Sequence, residues 1–138
     1  LITDNFYNAM TGVVKGYSRF LNMRDTSSLN ENTPVITHVY SYLTPREVGT
    51  HIGSLDFNKG WVKQHLKHKG ISDEEEQYDI LVEMLDAFYR RVVKLEKDFK
   101  NFLVVDTRKL LLKNNRPDLN LWFDEIHPNI REIGRAHV

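Results

Sequence analysis

After Thr3 and Asp4, apolar residues recur at helical spacing: Phe6, Met10, Val13, Val14, Tyr17, Phe20 and Leu21 share one face. A helix capped by Thr3 and Asp4 is therefore expected near residues 5–23. Residues 25–34 are rich in Ser, Asn and Thr and read as a loop, and the β-branched and aromatic run at 35–42 reads as a buried, central strand. Residues 44–70 hold Pro45, Gly49, Gly53, Gly60 and Gly70 without a sustained period. They predict a long excursion with one helical turn at 61–68, and long ordered loops are often functional. Ser72 and Glu75 form a capping-box pair, and Tyr78, Leu81, Leu85, Phe88, Val92, Leu95 and Phe99 follow in steps of three and four. They predict a helix over about 73–98. Such a stripe also suits a coiled-coil seam, but Ile80, Val82, Met84 and Ala87 widen the apolar face and favour packing on a sheet. Phe102–Val105 reads as a short strand, 110–112 as the start of a turn, and the segment from Asn129 to the end as a last short helix.

The predicted order of helix, strand, helix, strand, helix is that of an α/β domain with parallel strands and right-handed crossovers. Two parallel strands make a poor sheet by themselves, because parallel sheets are wider and covered on both faces. The sequence thus reads as part of a domain. Its 138 residues suit one domain or less, with 41% hydrophobic and 28% charged residues in the globular range. Nineteen basic residues balance nineteen acidic ones, so no net field draws phosphate backbones or anionic lipid. Neither nucleic acid nor a membrane surface is an expected partner. There are no cysteines, which excludes disulfides, thiolate zinc sites and a cysteine nucleophile and leaves the compartment open. No apolar run approaches the roughly 20 residues that span a bilayer, and residues 1–10 lack the basic and apolar blocks of a signal peptide. Beginning at Leu1 and ending at Val138, the chain reads as cut at both ends.

The segment Trp122, Phe123, Asp124, Glu125, Ile126, His127, Pro128, Asn129 follows the last predicted strand by a loop and opens the last predicted helix. In open α/β sheets such strand-to-helix loops gather ligands. Residues three apart on a turn bring a carboxylate within reach of an imidazole, where it accepts from one ring N–H, holds that nitrogen protonated and leaves the other free as a base. Pro128 biases His127 away from helical dihedrals and suits the first helical position, which places the imidazole at a helix mouth. Against this stands the plainer reading that Asp124 caps a turn and His127 is an ordinary loop histidine.

The segment 123–129 resembles the last sequence block of SGNH (GDSL-like) hydrolases, where an Asp-x-x-His pair followed by Pro supplies the acid and base of a Ser-His-Asp triad. Residues 35–42, Pro45, the Gly60 and Trp61 loop and residues 102–108 also resemble the later half of bacterial members, so the likeness runs from about Val35 onward. The resemblance implies a flavodoxin-like three-layer fold. Residues 35–42 and 102–105 would be the last two of five parallel strands, with the nucleophilic serine and the oxyanion-hole glycine and asparagine in an earlier half that has no matching positions here. It implies a small-molecule or lipid-like ester substrate, His127 as base, Asp124 as acid, no cofactor, and a chain inactive by itself. The missing half or a second copy would cover the open sheet edge.

Gly53, Ser54, Leu55 and Asp56 hold the letters of a Gly-Asp-Ser-Leu motif in the wrong order and away from the end of a first strand, so Ser54 reads as a loop serine. His65 and His68, with His38 and His51 upstream, could form a metal site, but Lys63, Lys67 and Lys69 surround the pair and oppose a divalent ion. A second class of function remains: a non-catalytic interaction module that docks a partner through the stripe from Tyr78 to Phe99.

Overall fold

A computed structural model describes residues 3–52, 55–57 and 60–129, with backbone alone for Thr50–Ile52 and Leu55–Phe57. The chain is mixed α/β and forms two compact units, one of residues 1–40 and 83–108, the other of residues 41–82 and 109–138.

In the first unit, helix α1 (Asp4–Asp25) carries Asp4 in its first turn and Arg24 in its last, each complementing the helix dipole. Thr3 is the N-cap by its extended backbone alone; its hydroxyl makes no capping bond, and its carbonyl accepts from the amides of Phe6 and Tyr7. Strand β1 (Val35–His38) pairs in parallel with a later strand at Phe102–Val105, Val35 opposite Phe102 and His38 opposite Val105.

The second unit begins with an antiparallel hairpin, β2 (Thr50–Ile52) and β3 (Leu55–Phe57), within the stretch expected to be irregular. The expected turn at 61–68 is helix α2 (Lys63–His68). Gly70 ends it at φ 79°, a left-handed conformation natural to glycine. Helix α3 (Glu74–Val92) continues as a tighter 3-10 turn over Val93–Lys97, so the predicted helical span is present with its last turn overwound. Its cap differs from the expected pair: Asp73, not Ser72, accepts from an orphan amide, that of Glu76 at 2.8 Å. Residues 74–82 of α3 belong to the second unit and 83–92 to the first.

Strand β4 (Phe102–Val105) returns to the first unit and fills the predicted bounds. The strand expected at 35–42 is half as long, because β4 ends at Val105 and offers nothing further to pair with. Val39 makes a last bond to the Val105 carbonyl at 3.2 Å, and Val39, Tyr42 and Leu43 are buried without a ladder. Alternation sends Val35, Thr37, Phe102 and Val104 to the inner face. There Phe102 and Val104 join Leu21, Val39, Val92 and Leu95 in the core. Ile36, Leu103 and Val105 stand exposed on the other face.

In the second unit a small hairpin, β5 (Leu112–Lys113) and β6 (Arg116–Pro117), follows the turn expected at 110–112. Asn114 and Asn115 sit between them at φ 51° and 62°, the left-handed region that asparagine tolerates in tight hairpins. A 3-10 turn at Leu119–Leu121, capped by the Asp118 side chain, leads into the segment singled out above. The helix expected from Asn129 onward and the loop serine Ser54 lie outside the described residues. Among the described residues no helix is long and apolar enough to cross a membrane.

Candidate active site

Residues 121–129 close on themselves as a loop. Trp122 and Pro128 form an antiparallel bridge, the Phe123 amide donates to the His127 carbonyl at 2.8 Å, and the Asn129 amide donates to the Leu121 carbonyl at 2.7 Å. This closed geometry holds the described part of the motif.

Inside the loop lies the carboxylate of Asp124, fully buried. Its Oδ1 accepts from the amides of Ile126 at 2.9 Å and His127 at 2.7 Å, which is an Asx-type turn. Its Oδ2 lies 2.8 Å from Nδ1 of His127. The two readings of Asp-x-x-His are thus both satisfied by one side chain: Asp124 shapes the turn with one oxygen and holds the imidazole with the other. Burial, the largest single influence on this carboxyl, pulls its pKa up. The hydrogen bonds from the His127 ring and from the His127 and Ile126 amides outweigh it and leave the group below its ordinary value of 3.8. An ionised carboxylate can only accept, so Nδ1 must carry the proton, and the lone pair of a neutral ring falls on Nε2. The His127 side chain is 52% exposed and so open to solvent or a reacting group.

The loop is gripped from below by residues that sequence reasoning did not single out. The Arg46 guanidinium donates to the carbonyls of Trp122 at 3.2 Å and Asp124 at 2.6 Å. Glu125 is as buried as its neighbour. Its Oε1 accepts from the amides of Arg46 at 3.1 Å and Lys63 at 2.7 Å, and its Oε2 from that of Val62 at 2.6 Å. Gly60 makes room for this contact, since a Cβ there would lie 2.1 Å from the Arg46 carbonyl oxygen and 2.8 Å from Oε2 of Glu125. The only sequence signal for the arrangement is the Gly60 and Trp61 loop, which gives no hint of which acid it receives.

Among the described residues, which leave out the side chain of His51, no three His, Cys, Asp or Glu side chains converge on a metal position. Near His65 and His68 the lysines pair with acids instead, Lys63 with Glu74 and Lys67 with Glu47. No family model, curated protein or solved structure matches the chain.

Proposed function

We propose that this chain supplies the acid and base of a serine ester hydrolase of the SGNH type, with His127 as general base and Asp124 as the carboxylate that orients it. The observation that carries the reading is the 2.8 Å bond from His127 Nδ1 to a fully buried Asp124 carboxylate, with the ring itself half exposed. The plainer turn-shaping reading accounts for the two amide bonds of Oδ1 but not for the bond of Oδ2 to a half-exposed imidazole.

In the proposed cycle a serine hydroxyl gives its proton to Nε2 of His127 as its oxygen bonds to the ester carbonyl carbon. The imidazolium, stabilised by Asp124, returns that proton to the departing alkoxide oxygen, which leaves as the alcohol. Water then attacks the acyl-enzyme, losing a proton to His127, and the serine takes that proton back as the acid product leaves. The cycle uses no metal and no cofactor. Its serine and oxyanion-hole donors would come from polypeptide outside these 138 residues, and its substrate would be a small-molecule or lipid-like ester.

The sheet supports the matching architecture, in which β1 and β4 are the last two strands of a five-stranded, flavodoxin-like parallel sheet. On the edge of β4 away from β1, the Val104 amide donates to the Glu96 carboxylate at 2.7 Å, so that edge is blunted by a charged side chain. No described strand pairs with the other edge of β1, where further strands would add. The exposed Ile36, Leu103 and Val105 form the kind of apolar face that a parallel sheet normally covers. The interaction-module reading has weaker support, because Tyr78, Leu81, Val92 and Leu95 of its stripe are buried within the chain.

The test is ester turnover by a longer polypeptide that includes a Gly-Asp-Ser segment upstream of this sequence. There His127→Ala should lower kcat by about a thousandfold or more while leaving the fold intact. Retention of more than about a tenth of the turnover would sink the assignment.

A further inference from the structure

We infer that Glu125 is the positioning residue of the Asp124 and His127 pair, an inference that rests on the acid-base role proposed above. The bonds of the Asp124 carboxylate all come from Ile126 and His127, within its own loop. They set the internal geometry of the pair and do nothing to place it. Placement comes from Arg46, which holds the carbonyls on either side of Phe123, and from Glu125, whose carboxylate takes amide hydrogens from two separate stretches, at Arg46 and at Val62 and Lys63.

The chemistry of the contact requires an acid. Oε1 receives two amides and Oε2 receives one, so both oxygens must accept; a glutamine would turn an NH2 group toward at least one donor. Hydrogen bonds to an ionised acceptor are roughly twice as strong as neutral ones. The cost of seating a second buried carboxylate beside Asp124 is thereby offset by the three amides of Arg46, Val62 and Lys63. Asp124 faces the imidazole and Glu125 faces the residues at 46 and 60–63, so the grip on one side chain sets the direction of the other.

The experiment is NMR of the His127 ring in the whole 138-residue chain, reading the ring 15N shifts for the tautomer and the exchange rate of the Nδ1 proton. Methyl signals of Leu43, Leu81 and Leu111, buried residues of the same unit as the site, report folding. The unsubstituted chain should show the Nδ1-H tautomer with a slowly exchanging, hydrogen-bonded proton, and Asp124→Ala should lose it. Glu125→Ala should mix the tautomers and lose the slow proton while the core methyls stay in place. Glu125→Gln, the gentler change, should speed exchange about tenfold or more, the factor set by losing one charge-assisted bond; it alone decides if the alanine variant does not fold. If Asp124→Ala abolishes the slow proton and the Glu125 variants leave tautomer and exchange unchanged, Glu125 has no positioning role and the pair stands. If Asp124→Ala itself changes nothing, the acid-base reading falls.

Discussion

Asp124 is the residue on which the site's chemistry and its stability meet. Its pKa is lower in the folded chain than the value near 3.9 of an unfolded aspartate. A group depressed in this way stabilises the fold fully above its unfolded pKa and loses that contribution as pH falls through the folded value. The urea midpoint of Asp124→Asn should therefore lie below that of the unsubstituted chain by a constant amount at neutral pH. The gap should begin to narrow as pH falls below about 4 and close only below the depressed folded value, where the native carboxyl also protonates; a gap unchanged down to about pH 2.5 would show that the carboxylate is not what stabilises the loop. A second buried charge, Arg24, donates to the carbonyls of Thr33 at 3.3 Å, Asn101 at 3.1 Å and Lys100 at 2.6 Å, with Asp25 beside it. Arg24→Ala should cost about 2 kcal/mol in denaturant unfolding, since it removes a buried side chain whose charged hydrogen bonds tie the end of α1 to the starts of β1 and β4. Of these residues only Asp124 and His127 were legible in the sequence, because a three-residue turn is a local object. Arg24 acts across 77 residues to Asn101, and Glu125 across 79 to Arg46. No periodicity marks a side chain whose partners are backbone groups that far away.

Among the elements, the long ones were legible and the short ones were not. The apolar periodicity of α1 and α3 runs for five turns or more, so burial of one face reinforces the same reading at every turn. The cap of α3 was misplaced by a residue: Ser72 and Asp73 are both good N-caps, and only the path of the chain into α3 selects Asp73. Asp73→Ala should accordingly cost about 1 kcal/mol in thermal or urea unfolding, and Ser72→Ala a small fraction of that; equal losses would restore the cap first expected. The strand read at 35–42 was overextended for a related reason. Tyr42 and Leu43 are apolar because they are buried, and burial without a neighbouring strand leaves the same imprint on sequence as burial within a sheet. The hairpins of β2 with β3 and β5 with β6 are two or three residues per strand, too short for alternation to register.

For the molecule as a whole, the proposed division of the triad makes a simple demand. Incubated with a fluorophosphonate, the 138-residue chain should stay unlabelled and should not turn over p-nitrophenyl esters; labelling at Ser54 would place the nucleophile inside the chain and overturn its reading as a loop serine. What the sequence alone determined is the α/β class, the long helices, the β4 strand and the Asp124 and His127 pair, all features whose physics is contained within a few turns or one loop. Tertiary structure alone decided the parallel register of β1 on β4, the blunting of the β4 edge by Glu96, and the seating of the 121–129 loop on Arg46, Gly60, Val62 and Lys63. Each of those depends on which backbone amides and carbonyls the fold brings to a strand or a side chain, and no local periodicity records that. A buried charge and an exposed one are written with the same letter.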